Sequence, residues 1–380
     1  MRILVLVHEF PPVGGGGGRV VEDVYGGLSH RGHEAIVVTP HIKGLKRNED
    51  LGGVEIQRIR SGRRSPFKAS LFDMTAYIIV GFFHCLKLFR SWKPDVIHVH
   101  FAVPAGALAW VLSKISGIPY VITAHLGDVP GGNPTKTDRW FNWVYPFTPG
   151  IWDEASEVTA VSEHTRRLAN DHYSAKIHVI PNGVDLDELS PGEIKIRKTP
   201  RIVFAGRIVA QKNPIFLIKI LDQVRDLSWD CVILGDGALK QPVVDQINKL
   251  NLQDRISVHG WVHPENVIEW FSKSDILLMP SLWEGLPVVG VQALAMGLAI
   301  VASPVGGLLD LVVSGKNGFL IEGDDVEKWG EKLRLLISDP KRLVEHRKMS
   351  RLFAEKFSLS SVVRLYEEVL LKAIDSALED

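Results

Sequence analysis

The sequence predicts an α/β protein built as two successive Rossmann-like domains, each a parallel sheet with helices on both faces. Three observations predict it. Short apolar runs alternate with amphipathic helical stretches from residue 1 to about residue 190, as strands joined by crossover helices require. The same pattern restarts at Arg201, after a polar stretch from Glu188 to Thr199 that reads as a linker. A chain of 380 residues has room for two or three domains, each large enough to bury its own core.

In chain order, Ile3–Val7 is the first strand. Pro11-Pro12 and the glycine run Gly14 to Gly18 follow it, then a helix through Val21, Val24, Tyr25 and Leu28. Gly32-His33 turns the chain into a strand at Ala35–Thr39, with further strands at Val96–Val99, Tyr120–Thr123, Glu157–Ala160 and His178–Ile180. The second half reads as strands Arg201–Ala205, Cys231–Leu234, Ile256–His259, Ile276–Met279, Ala299–Ser303 and Gly318–Ile321. Helices from Val326 to Ile337 and from Leu359 to Leu378 close the chain.

Composition excludes several classes. The formal net charge is zero, so nothing draws the whole molecule to nucleic acid. Cys85 and Cys231 have apolar neighbours and no CxxC spacing, and read as buried thiols of a reducing compartment. The first strand begins straight after Met1-Arg2, which leaves no signal peptide. The most apolar run, Tyr77 to Phe89, is interrupted by His84 and Lys87, so no membrane span is expected and a cytosolic chain is. Arg58, Arg60, Arg63, Arg64 and Lys68 precede an apolar segment from Leu71 to Phe89. Such a pairing suits either a core helix with its loop or a peripheral contact with an anionic membrane at its inner face.

The chemistry concentrates in a few loops. From Pro280 to Gly297 an apolar strand gives way to a Glu284-Gly285 turn, then to a helix that Pro287 opens and Gly297 stops. A strand feeding a helix through a glycine turn leaves free N–H groups at the sheet's carboxyl edge, suited to phosphate. The glycine run after the first strand lets backbone amides crowd around a phosphate or sugar, although it is not a GxGxxG fingerprint. His125 follows a strand in Thr123-Ala-His125-Leu-Gly-Asp128, while His8, His33, His98 and His100 read as packing or turn residues. Asp185-Leu-Asp187 is a DxD string after a Pro-Asn-Gly turn, and no His/Cys cluster offers another metal site, so no metal is expected.

These segments together resemble retaining glycosyltransferase family 4, whose fold is GT-B, with two domains facing a central cleft. Glu284 and Gln292 stand at the two glutamate positions of its E-x7-E signature, the second departing from the family. Gly206-Arg207 to Lys212-Asn resembles its G-R-x-x-x-x-K-G/N segment, and the His125 stretch its T-x-H-G-x-D segment with Leu126 in place of glycine. The resemblance implies a first domain over 1–190 for the acceptor, a second over 191–358 for a nucleotide sugar, and a last helix, 359–380, crossing back to the first. It implies transfer of a sugar with retention of configuration, from a nucleotide-sugar substrate, UDP-linked by preference, to a hydroxyl of a glycan, lipid or small molecule. No separate cofactor is implied.

By the same resemblance Arg207 and Lys212 stabilise the departing diphosphate, whose bridging oxygen gains negative charge in the transition state. Glu284 orients sugar hydroxyls, His125 approaches the anomeric centre, and Gln292 meets the ribose. Gly15 and Gly16 lie over the reaction centre. Gly235, Trp261 and Val262 line the base and diphosphate side, and Gly285, Leu286, Pro287 and Val288 form the phosphate-facing turn. No two carboxylates are placed as nucleophile and acid, as a retaining hydrolase needs. Two alternatives stay open: a non-catalytic nucleotide-sugar-binding protein, suggested by Gln292 and Leu126, and a sugar-nucleotide epimerase on the same fold.

Overall fold

The computed structural model describes residues 1–65, 69–132, 144–195 and 197–379. The chain forms two compact units, Met1–Gly183 with Leu359–Asp380, and Val184–Ser358. The division thus falls between Gly183 and Val184, a few residues before the expected linker.

The first unit holds a sheet of β1 (Arg2–Val7), β2 (Glu34–Pro40), β3 (Asn48–Leu51), β4 (Val54–Ile59), β5 (Val96–His100), β6 (Tyr120–Ala124), β7 (Glu157–Ala160) and β8 (Ile177–Val179). Their order is β3-β4-β2-β1-β5-β6-β7-β8. All neighbours run parallel except β3, which returns antiparallel on β4. Ile3 to Val7 are wholly buried on both faces, which is why the strand reads as a continuous apolar run. The β3–β4 hairpin was not anticipated, because Asn48-Glu-Asp-Leu carries almost no apolar signal and two charged residues.

Among the described residues, helix Leu71–Leu88 is long and apolar enough, by length and composition alone, to cross a membrane. One face nonetheless packs inward. Tyr77, Gly81 and Cys85 are buried, and the Tyr77 hydroxyl donates to the Val38 carbonyl of β2 at 2.9 Å. Ser70 and Asp73 close a capping box at its start. The other face is open, with Phe72 73% and Phe83 66% exposed. Two cations of the basic stretch before it are turned inward, as the reading of a core helix with its loop expects. Arg58 is buried against Glu49 and the Pro11 carbonyl. Arg63 is buried too and donates to the His8 carbonyl. Arg60 and Arg64 are exposed, and Lys68 lies outside the described residues.

The C-terminal helix Leu359–Glu379 belongs to this first unit and buries Val362, Val363, Tyr366, Leu370 and Ala373. Val363 packs where a Cβ on Gly27 would stand, on helix Gly16–His30. Glu367 accepts from Arg31 and His33, and these bonds hold its carboxyl down at about 2.

The second unit holds β9 (Arg201–Ala205), β10 (Asp230–Leu234), β11 (Ile256–Val258), β12 (Ile276–Met279), β13 (Ala299–Ala302) and β14 (Gly318–Leu320), ordered β11-β10-β9-β12-β13-β14 and parallel throughout. The order reverses between β9 and β12, and ligands of open α/β sheets bind at the carboxyl ends beside such a point. Its core runs through Ile202, Phe204, Leu217, Ile233, Leu278 and Trp329. Both cysteines are free and buried, Cys85 in the first core and Cys231 in the second.

Candidate functional site

In the second unit, β9 and β12 are neighbours, and the loops leaving their carboxyl ends carry Arg207–Lys212 and Ser281–Glu284. Backbone and side chain of Gln211 lock the two loops together. Its carbonyl accepts from the Leu282 amide at 2.8 Å, and its Nε2 donates to the Trp283 carbonyl at 2.9 Å. Arg207 is exposed and donates to Gln211 Oε1 at 3.3 Å. Lys212 and Glu284 are both buried, with Lys212 Nζ donating to Glu284 Oε1 at 2.5 Å. Their mutual neutralisation is what allows two charges to sit in the interior. Sequence reasoning missed Gln211, whose role is set by a contact across 72 residues.

Helix Val288–Ala295 follows, with Pro287 as its N-cap rather than its first helical residue. Proline's fixed φ serves there as well, since its ψ of 118° is extended and leads the chain in. At the other end Leu298 donates to the Ala293 carbonyl and Gly297 to that of Leu294, a Schellman closure. The Glu284-Gly285 turn is braced from behind by Gly306-Gly307, and the Gly307 amide donates to the Gly285 carbonyl at 2.5 Å. A Cβ on Gly306 would stand 1.7 Å from the Glu284 carbonyl oxygen, so only glycine lets the two turns meet. Leu286 and Pro287 are buried, while Gly285, Val288 and Gln292 are partly exposed. The Gln292 side chain forms no hydrogen bond among the described residues. Gly235 donates to the Gly260 carbonyl at 2.6 Å, tying the end of β10 to the turn before Trp261. Trp261 itself is 62% exposed, and Val262 partly so. Beside Glu284, Ser281 Oγ and Trp283 Nε1 are buried without a protein partner.

In the first unit, His125 leaves the carboxyl end of β6. Asp128 clamps the bend: one carboxylate oxygen accepts the His125 amide at 2.9 Å, the other the Ala102 amide at 2.7 Å. Burial outweighs these amides and pushes the Asp128 carboxyl up to about 6. Leu126 sits between them at φ 85°, a left-handed conformation that costs a branched side chain about 1 kcal/mol or more. The T-x-H-G-x-D pattern has glycine at this position; leucine here fills a buried space instead. The His125 ring lies 4.5 Å from that of Phe101, and burial, then the nearby His8, lower its pKa to about 3.

The glycine run proves to be the start of a helix, Gly16–His30, with Gly15 as N-cap. Gly15 donates to Glu9 Oε2 at 3.3 Å. Close approach in the run falls on three positions: a Cβ on Gly14 would stand 2.5 Å from Glu9 Cβ, one on Gly18 2.8 Å from the Glu9 carbonyl oxygen, and one on Gly17 2.7 Å from the Phe101 ring and 3.7 Å from His125 Nδ1. A Cβ on Gly15 would meet nothing, and Gly15 and Gly16 are both exposed. Asp185 spends one carboxylate oxygen on the amides of Asp187 and Glu188. Among the described residues no three His, Cys, Asp or Glu side chains are grouped to hold a metal.

Known proteins match this arrangement along the whole chain. The family described as "Glycosyltransferase Family 4" matches residues 14–188, and "Glycosyl transferases group 1" matches residues 187–354. A 2-deoxystreptamine glucosyltransferase of Streptomyces kanamyceticus is 27% identical, over 78% of this chain and 83% of its own. A UDP-Gal:alpha-D-GlcNAc-diphosphoundecaprenol alpha-1,3-galactosyltransferase of Escherichia coli is 28% identical, over 64% of this chain and 66% of its own. Among solved structures, the sucrose-phosphate synthase of Thermosynechococcus elongatus superposes with a TM-score of 0.85 at 19% identity, covering 97% of this chain and 99% of that one. With a buried Lys–Glu pair at the strand edges where the sequence motifs lie, and both halves matched, the chain belongs to the family 4, group 1 glycosyltransferases of GT-B fold and is a hexosyltransferase that uses a nucleotide-sugar donor.

Proposed function

We propose that the enzyme moves a hexose from a UDP-sugar, with retention of configuration, to a hydroxyl of a lipid-linked acceptor at the inner face of a membrane. The observation that carries the reading of the donor side is the Lys212–Glu284 pair at 2.5 Å on adjoining strand edges. A diphosphate arriving beside Lys212 replaces the carboxylate as its partner. Glu284 is thereby freed to accept hydrogen bonds from sugar hydroxyls. Arg207, exposed and bonded to Gln211, supplies the second cation, and its planar fork suits phosphate oxygens. A cation about 4 Å from the leaving oxygen contributes on the order of 4 kcal/mol at a surface-like dielectric, and more as charge develops there. Gly235, Trp261 and Val262 receive the nucleotide, and Gln292 the ribose. By the family resemblance the acceptor hydroxyl attacks from the face that the diphosphate leaves, and the departing phosphate takes its proton; that the sequence places no two carboxylates as nucleophile and acid supports this course.

Metal independence rests on the donor set, since Asp185 is already engaged by backbone amides and activity should persist in EDTA. The UDP assignment is supported by the donor in the galactosyltransferase relative's name, and so is a lipid-linked acceptor. The acceptor reading has a second support in the open face of helix Leu71–Leu88. Phe72, Ile79 and Phe83 are exposed along it, and Lys87 and Arg90 are exposed at its end. Apolar rings flanked by cations suit an anionic bilayer surface.

A panel of UDP-, GDP- and ADP-sugars, read by slow release of free nucleotide with and without EDTA, tests the donor side. Turnover of a UDP-sugar in chelator is the expected result. Turnover of GDP- or ADP-sugars alone rejects the base assignment, and thermal stabilisation by donors without any turnover, whatever the acceptor, returns the chain to a binding role.

A further inference from the structure

His100 was read from the sequence as a packing residue, yet it touches a residue carried by the family motif. β5 places His98 and His100 on the same face, two residues apart. His98 has a complete set of partners: Tyr25 on Nδ1, and Thr123 Oγ1 at 2.8 Å on Nε2. His100 does not. Its Nδ1 lies 3.0 Å from His125 Nε2, while its Nε2 is buried with no partner among the described residues. Both rings are held neutral by burial, His125 at about 3 and His100 well below the ordinary value, so the contact contains one proton.

That proton has two places to be. If His125 Nε2 carries it, His100 must hold its own on Nε2, a buried N–H with no acceptor. If His100 Nδ1 carries it, the orphan at His100 Nε2 is a lone pair. Buried unpaired N–H groups are the rarer defect in proteins, and each costs about 1–3 kcal/mol. The second arrangement therefore prevails, and in it the His125 proton sits on Nδ1. That atom has no protein partner among the described residues. It faces the place where Gly17 lacks a side chain, at the start of helix Gly16–His30.

We propose that His100 is a positioning residue that fixes His125 in its Nδ1–H tautomer, so that His125 offers a neutral N–H donor to an oxygen of the bound sugar substrate. The substrate half of this statement rests on the glycosyltransferase reading above; the tautomer half does not. The donor is neutral and suits a hydroxyl or ring oxygen. Phe101, at φ 74°, packs its ring against that of His125, with centroids 4.5 Å apart and planes tilted by 31°.

The test reads the tautomer directly, by ¹⁵N–¹H correlation of the ring nitrogens in the full chain labelled at histidine, with His125→Gln to assign the signal. Wild type is expected to carry the His125 proton on Nδ1. His100→Asn keeps an NH₂ where Nδ1 stood and should retain that tautomer and most of kcat. His100→Leu removes the donor and should shift His125 towards the Nε2–H form, with kcat lowered about tenfold or more and donor KM little changed. A His125 proton on Nε2 in wild type overturns the proposal without any substrate. So does an unchanged tautomer in a folded His100→Leu protein, and wild type and His100→Asn decide the matter if that variant does not fold. A correct tautomer with no loss of kcat in a folded leucine variant rejects the role in turnover and leaves the family reading standing.

Discussion

At the scale of single residues, Lys212 carries two burdens that one substitution separates. Removing it leaves Glu284 charged and buried, which costs about 3–5 kcal/mol in pairs of this kind. It also removes a cation from the leaving group, a loss on the order of 10²-fold in kcat. Lys212→Ala should therefore melt earlier and, assayed well below its transition, turn over about a hundredfold more slowly. Normal turnover in the folded variant would put the diphosphate elsewhere. Asp128 gives a pH signature. Its carboxyl titrates at about 6 in the fold against an ordinary 3.8, so the folded state holds the proton that the unfolded chain has lost between those values. This group's contribution to stability therefore falls as pH rises from about 4 to 6 and is constant above. Its clamp behaves oppositely: protonation turns one acceptor oxygen into a donor facing an amide. Activity should decline as pH drops below about 6, and the pH profile of kcat/KM in Asp128→Asn should lack that limb at a lower plateau. An acid limb that survives the substitution assigns it to another group. His125, lowered to about 3, is not that group.

At the scale of elements, the helix Leu71–Leu88 divides its two faces between the core and the outside. The inner face is tied to β2 through Tyr77 and cannot leave without breaking a buried hydrogen bond. The outer face holds two phenylalanines, each contributing about 1.5–3 kcal/mol when fully withdrawn from water. Phe72→Ser with Phe83→Ser should weaken co-sedimentation with vesicles of anionic lipid by tenfold or more and leave the melting temperature within a few degrees of wild type. Binding unchanged in the double variant would return this face to ordinary surface. The sequence pointed instead to the cations before the helix. Their spacing is indifferent to direction, and the structure shows Arg58 and Arg63 spent on Glu49 and on carbonyls of Pro11 and His8.

At the scale of the whole molecule, the first unit is completed by the last residues of the chain. Ending the chain at Ser358 strips five buried side chains from the face that helix Leu359–Glu379 covers. Their burial, about 1.5–3 kcal/mol for each large apolar group, is comparable with the 5–15 kcal/mol by which domains are stable. Calorimetry of the truncated protein should show the transition of Val184–Ser358 and no cooperative transition of the first unit; two full transitions would make the helix dispensable. Apart from the β3–β4 hairpin, the strands, the parallel sheets and the loops that bear His125, Arg207, Lys212 and Glu284 are legible in the sequence. Those follow from local periodicity and from turn residues, which act over a few positions. Tertiary packing alone shows that a Cβ on Gly17 would run into Phe101 beside His125, that Gln211 joins two loops, and that His100 faces His125. The last two contacts join residues 72 and 25 positions apart, and Glu367 meets His33 across 334. Packing of buried surface settles such pairings, and no spacing in the chain encodes which side of a loop will meet it.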